Sequence, residues 1–311
     1  MLGIALSLVS AFWFASSNVL IRRGVSVASP GQGIFVTVVL GAVLFLVFAL
    51  ATGQIFRAGE LAPIAYAWLA GAGISHFIVG RYGAYRSIQA MGANRLAPLQ
   101  ALSIPYSVGV AVLLLDEVVT PLMAVGITLI IVGPFVMVQR RRNSANPATA
   151  APAASAPTPA TGSRDFTPKL AEGYLWGAVS ALGFGTSPLF IRAAIHDVPI
   201  GIFGGFVSYL AATALLLVLM SPLKRVQEMR SLDKPSLRFF LGAGTAVFLA
   251  QLFRYIALGV APVSIVTPLL RMGDVFTVIL SWIVNRRLES FSGRVILGVV
   301  ISVSGAMLLA F

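Results

Sequence analysis

Apolar and polar positions divide the chain into ten apolar runs separated by short polar connectors. The runs cover about 3–21, 33–52, 61–82, 95–115, 121–139, 173–192, 200–221, 238–258, 262–284 and 293–311. Each is close to the roughly 20 residues that a helix needs to cross a hydrocarbon layer of about 30 Å. Backbone amides in lipid must be bonded within their own segment or in a closed barrel. The alternating ten-residue pattern of a barrel is absent, so every run is expected to be a helix. The first run lacks the basic flank of a signal peptide.

The first run also recurs further along the chain. Gly3–Arg22 aligned with Gly173–Arg192, an offset of 170, gives eight identical pairs: Gly3/Gly173, Val9/Val179, Ser10/Ser180, Ala11/Ala181, Phe14/Phe184, Ser17/Ser187, Ile21/Ile191 and Arg22/Arg192. Chance would give roughly two in a chain so biased in composition. The register continues through Tyr85/Tyr255 and Pro98/Pro268 and, after a two-residue insertion, through Glu117/Glu289, Gly126/Gly298 and Gly133/Gly305. The sequence therefore predicts an all-α integral membrane protein with ten transmembrane helices as two inverted five-helix repeats. An odd number of spans per unit forces the second copy to run the opposite way. Residues 1–139 form the first repeat and 173–311 the second. Residues 140–172 form an Ala/Pro/Ser/Thr-rich linker; within it Asn143–Gly162 holds only Asn, Ser, Ala, Pro, Thr and Gly and cannot bury a core, so it is read as a flexible or partly extended tether, with a recognition tail as the alternative.

Composition sharpens this. Of the 311 residues, 58% are apolar and 10% charged, against about 45–50% and 25% in soluble domains. With no cysteine, disulfides, thiolate metal sites and iron–sulfur clusters are excluded. The net charge of +12 lies in connectors rather than on one patch, so no nucleic-acid partner is expected. Connectors 1–2, 3–4, 5–6, 7–8 and 9–10 hold 17 Lys and Arg, including Arg140, Arg141 and Arg142. The other connectors and both termini hold only Arg57 and Arg192. The positive-inside rule then places the linker in the cytoplasm and both termini outside, in an inner or plasma membrane.

The opening Gly-rich helices end near Arg22 and Arg192. Tyr85–Pro98 is repeated as Tyr255–Pro268. The acidic turn Asp116-Glu117 leads to Thr120 and then to a helix with Gly126 and Gly133. On these features the chain resembles the drug/metabolite transporter superfamily, specifically its EamA-type ten-helix members. The resemblance covers both halves and omits the linker. It implies a secondary carrier for small metabolites. It also implies cytoplasmic termini, contrary to the charge count, and Glu289 in its basic surroundings departs from the first acidic turn.

An ionisable residue in a span costs roughly 2.5–3.5 kcal/mol at a helix centre and so marks candidate chemistry. Arg271 and Asp274, three apart in the ninth run, share a face; they form either a self-neutralising pair or a site facing a cavity. The eighth run adds Gln251, Arg254 and Tyr255, with Arg254 either in the site or snorkelling to the interface. The first half supplies Asn18, His76, Arg81, Gln100 and Tyr106. His76 is either an interhelical contact or a proton carrier, and Asn18 either interhelical glue or a ligand contact. Pro98, Pro105, Pro262 and Pro268 interrupt runs four and nine. The matched pair Pro98/Pro268 is the pattern of broken helices that border the site in inverted-repeat carriers.

Arg81, Arg254 and Arg271 against Asp274 would give a shared cavity a positive potential suited to an anion or to the carboxylate of an amino acid. Arg271 is the expected substrate contact, resting on Asp274 when empty, and Asp274 the expected proton carrier. The function expected is a secondary active transporter moving a small polar metabolite, amino-acid-like or anionic, by alternating access. It is expected to need no cofactor or metal and, driven by a gradient or by exchange, no ATPase subunit; with no P-loop in the chain, ATP-driven transport would need a separate subunit. Its partners are a small-molecule substrate and the lipid bilayer, with a homodimer possible. The alternatives are a membrane-embedded group transferase, for which no cluster of acid/base groups is seen, and a receptor or scaffold, for which the connectors leave no room.

Overall fold

The computed structural model describes residues 1–24, 30–91, 96, 99–137, 169–220, 234–284 and 293–309. Pro98, Glu289, Arg140, Arg141, Arg142 and nearly all of the 140–172 linker lie outside the described residues. All ten apolar runs contain helix, and no strand occurs among the described residues. In chain order the helices are α1 (Leu2–Gly24), α2 (Pro30–Ala51), α3 (Pro63–Gly73), α4 (Arg81–Met91), α5 (Ser103–Leu114), α6 (Pro121–Met137), α7 (Leu170–Ile195), α8 (Gly201–Met220), α9 (Lys234–Val260), α10 (Val263–Leu270), α11 (Met272–Val284) and α12 (Gly293–Leu308). Seven stretches are long and apolar enough to span a membrane. Three apolar helices are shorter: Leu99–Leu114, Pro121–Val136 and Gly293–Leu308.

Three runs depart from a plain helix. The third extends past its expected end at 82, to Met91, and passes through a π-helical stretch, Ile74–Gly80, between α3 and α4. The extension carries Arg86, which pairs with Glu172 at 2.6 Å and lies over the Trp176 ring. The ninth breaks at Arg271, which caps α10 before α11 begins. The break is closed by tight i+3 bonds, with Arg271 N donating to Pro268 O and Asp274 N to Arg271 O, both 2.9 Å. The fourth run is interrupted at the nearly matching Leu102, which precedes α5. Pro268 lies inside α10, where its missing amide removes the bond to the carbonyl one turn before it, and the break at Arg271 follows three residues later.

Packing follows the sequence register. α1 lies along α9, while α7 lies along α3, the π stretch and α4. Ser10 Oγ donates to Ala250 O at 2.7 Å, and Ser180 Oγ to Gly80 O at 2.6 Å. Donors and acceptors of these two bonds are each 170 apart. α2 packs on α8 with Gly41 against Tyr209 and Gly205 against Phe45. α6 packs on α12 so closely that a Cβ on Gly126 would sit 2.8 Å from Gly305 O, and one on Gly133 2.8 Å from Gly298 O. In both pairs a rising number on one helix meets a falling number on the other, so α2 and α8 are antiparallel, as are α6 and α12.

One end of the bundle is sealed. Leu61, Leu69, Ile195, Ile200, Phe203, Leu258 and Val263 form a single buried core there. Side chains from other elements satisfy the helix ends that meet at this core. Val263 N and Ser264 N donate to the two Glu117 carboxylate oxygens at 2.6 and 2.8 Å, capping α10. Ile202 N and Phe203 N donate to Gln54 Oε1 at 3.0 and 3.2 Å, capping α8. Arg192 Nη1 donates to Leu258 O and Gly259 O at the C-terminus of α9. Each cap sets a charge or dipole of the right sign against a helix end. Glu117→Ala is expected to lower stability by about 1–2 kcal/mol, read as an earlier melt in detergent; an unchanged melt would mean that water caps α10 equally well.

Candidate functional site

The helix irregularities gather around one cavity of about 210 Å³. His76 enters from the π stretch, which adds a residue per turn and re-aims the side chains on it. Arg81, Ala84 and Tyr85 enter from α4, Asn18 and Phe14 from α1, Phe184 and Pro188 from α7, and Arg254 from α9. The two helix breaks supply the rest of the wall, with Gln100 and Ser103 on one side and Thr267, Leu270, Arg271, Gly273 and Asp274 on the other. Five pairs of wall residues are each 170 apart: Phe14/Phe184, Asn18/Pro188, Ala84/Arg254, Gln100/Leu270 and Ser103/Gly273.

The sequence-predicted residues divide into two sets. Asn18, His76, Arg81, Gln100, Arg254, Arg271 and Asp274 line the cavity together. Gln251, Tyr106, Tyr255 and Pro268 lie outside its wall. Gln251 is fully buried behind His76 and Arg254. Tyr106 bonds Thr186 through the two hydroxyls at 3.0 Å. Tyr255 belongs to the apolar core at the sealed end and stacks edge-on to Phe45. Pro268 is buried inside α10. Tyr85 takes the cavity position in the first half that Tyr255 does not take in the second. The alignment paired Tyr85 with Tyr255 and Phe14 with Phe184 without marking Tyr85 or the two phenylalanines as wall residues. Their identity across the offset was the available signal.

Arg254 does not snorkel. It is 3% exposed and held inward, with Nη1 donating to Gln251 Oε1 at 3.0 Å and Nη2 to Ser187 Oγ at 3.1 Å. His76 bridges the same groups: its Nε2 is 2.9 Å from Gln251 Nε2 and its Nδ1 3.4 Å from Arg254 Nη1. Both neighbours present N–H groups to the ring, while a neutral imidazole has one acceptor. Turning the Gln251 amide over moves the mismatch to Arg254 without removing it. The cluster therefore has more donors than acceptors, and among the described residues no carboxylate pairs with Arg254.

Arg271 does not rest on Asp274. Its Nη2 donates to Gln100 O and, at 3.1 Å, to Ser103 Oγ, joining the two broken runs across the cavity. Gln100 is itself fixed, with Nε2 donating to Ser180 Oγ at 2.6 Å. Arg81 is held more loosely, 3.5 Å from Thr37 Oγ1 and over the Phe77 ring. Asp274 stands in the first turn of α11. Among the described residues, no salt bridge joins it to a cation. Three guanidinium groups and one carboxylate thus share a cavity whose wall includes the rings of Phe14, Tyr85 and Phe184. Such a wall can bind anionic oxygens bidentately, and the described residues hold no group of three or more metal-ligating side chains.

A model of the EamA-like transporter family matches residues 1–139 and 171–311. Among solved structures, 29 chains match. One, described only as "Crystal structure of protein", aligns with a TM-score of 0.71 at 16% identity, over 98% of this chain and 96% of the other. Likeness at that identity concerns the fold alone. No curated protein matches the chain.

Proposed function

The chain belongs to the EamA-like transporter family, a transporter family, and from that premise we propose that it is a ten-span secondary carrier built of two inverted five-helix repeats. Its cargo is a small polar metabolite, amino-acid-like or anionic, moved by alternating access through the cavity between the repeats. The antiparallel α2/α8 and α6/α12 pairs support the inversion. So do the matched bonds of Ser10 and Ser180.

The observation that carries the reading is the convergence of Arg81, Arg254 and Arg271 with Asp274 on a cavity bordered by both helix breaks. Wall residues contributed in pairs by both halves can be exposed to either side by rocking one half against the other. The core at the Glu117 end closes one route, so this conformation takes its cargo from the opposite end. Counterflow in vesicles reconstituted with the purified protein tests the reading. A panel of carboxylates, phosphates, amino acids and organic cations should yield saturable exchange for anionic or zwitterionic members and none for the cations. Exchange of cations alone would overturn it.

By the charge distribution, the end carrying connectors 1–2, 3–4, 5–6, 7–8 and 9–10 is cytoplasmic, and the cavity of this conformation is then loaded from the cytoplasm. A reporter active only outside the cytoplasm is expected to be silent when fused near Ala150 in the linker. Activity there would place the termini in the cytoplasm, as the family resemblance implies.

A further inference from the structure

We propose that the cargo is a small dianion, an organic phosphate monoester or a dicarboxylate, rather than a monoanion, a zwitterion or a cation. This rests on the carrier reading above and adds the charge of the substrate to it.

Charge balance favours a dianion. The cavity wall carries Arg81, Arg254, Arg271 and Asp274, a formal charge of +2 with His76 neutral. A guanidinium group keeps its charge at any ordinary pH. Charges taken out of water are costly unless something of opposite sign meets them. A zwitterion leaves the excess at two and a monoanion leaves it at one. A dianion cancels it and leaves Asp274 free to remain ionised.

The hydrogen-bond inventory of the cavity favours the same cargo independently of the charge count. Arg254 is almost wholly buried, and its cluster with His76, Gln251 and Ser187 contains more N–H donors than acceptors. An oxygen-rich acceptor entering from the cavity relieves that mismatch, since Gln251 Oε1 and Ser187 Oγ each already accept a bond from Arg254. Arg271 is satisfied differently, by a backbone carbonyl and a hydroxyl. Both partners are neutral, so a carboxylate or phosphate oxygen competes for it on favourable terms.

The cations are also placed to meet two negative charges. Arg254 and Arg271 come from α9 and from the break between α10 and α11, each within three turns of the sealed end of its run. Arg81 sits near the other end, where it reaches Thr37 in the first two turns of α2. The cations are thus spread along the cavity and not stacked at one point. A molecule with two negative charges meets partners at depth and near the mouth. A cation or a bulky apolar molecule has no such complement.

Titration calorimetry on the full-length protein in detergent at low salt tests this with succinate and glycerol 3-phosphate, set against butyrate, alanine and choline. At least one dianion should bind about tenfold or more tighter than butyrate and alanine, choline should not bind, and the preference should collapse in Arg254→Met and in Arg271→Gln. Which dianion binds tighter separates dicarboxylate from phosphate. Ser16→Ala, on the exposed side of α1, is the folding control and should keep the preference. If neither dianion binds more tightly than butyrate or alanine, the proposal is overturned. The two readings fail separately. A bound dianion that shows no counterflow in vesicles would remove the carrier reading and keep the dianion site. Counterflow of a monoanion or amino acid without dianion preference would do the reverse.

Discussion

Replacing Arg254 with methionine is expected to lower substrate counterflow by at least about 100-fold while leaving the melting temperature of the purified protein unchanged or higher. The two halves of this result have one cause. Arg254 is a charge almost completely removed from solvent, surrounded by neutral partners that already donate too many N–H groups. In the empty protein that arrangement is unfavourable. An apolar side chain of similar length takes the charge away and leaves Gln251 and His76 to bond each other. With anionic cargo present, the same guanidinium supplies the strongest interaction at the buried end of the cavity, and its loss removes that interaction outright. A variant that is both less active and less stable would mean that Arg254 is a structural strut. Counterflow and melting on the same preparation distinguish the two.

Arg271→Gln and Asp274→Asn are expected to separate binding from coupling. Arg271→Gln should abolish transport in every mode, because Arg271 both meets the cargo and spans from the α10/α11 break to Gln100 O and Ser103 Oγ. Cargo that takes hold of Arg271 must loosen that link between the broken runs, which ties binding to movement of one half against the other. Asp274 lines the same cavity from the first turn of α11. As the proton carrier, it should be dispensable for exchange and required for accumulation against a gradient. Asp274→Asn is therefore expected to keep counterflow within about twofold and to lose uptake driven by a pH gradient, by about tenfold or more. Normal pH-driven uptake in Asp274→Asn would remove Asp274 from coupling. Normal exchange in Arg271→Gln would reduce Arg271 to a helix-end cap.

The features legible in the sequence depend on composition and on the repeat. Ten apolar runs gave ten helical regions because a lipid-facing segment has few other options. The offset of 170 put Ser10 and Ser180 in identical registers, and the structure gives the two serines matching bonds. Span arginines could be gathered into one cavity because an ionised group there has few other places to be.

What could not be read depends on single contacts across the fold. The π stretch at Ile74–Gly80 leaves no trace in hydropathy, since one extra residue in a helix alters the facing of residues and not their polarity. It is held by close approach: a Cβ at Gly73 would collide with Ser208 O, and one at Gly183 would lie 2.7 Å from Gly80 N. Gly73→Ala is therefore expected to reduce the yield of folded protein sharply, seen as aggregation on size-exclusion chromatography. The spacing of Arg271 and Asp274 suggested a pair, whereas the helix break between them turned Arg271 towards Gln100. Tyr255 and Tyr85 are equivalent in the alignment, yet one is core and the other cavity wall, because the two halves are not identical where they meet.

Transport of an anion by this route requires that the space between the halves be a water-accessible cavity that favours anions. The chain has no cysteine, so a single Asn18→Cys reports on the cavity alone, and Thr52→Cys reports on the exposed surface. Rates of modification by thiosulfonates carrying a sulfonate or a quaternary ammonium group are compared at the two positions. Relative to Thr52→Cys, the cavity cysteine should favour the anionic reagent by about tenfold or more, and Arg254→Met combined with Arg271→Gln should erase that preference. Equal ratios at the two positions, or a preference for the cationic reagent at Asn18→Cys, would contradict the account.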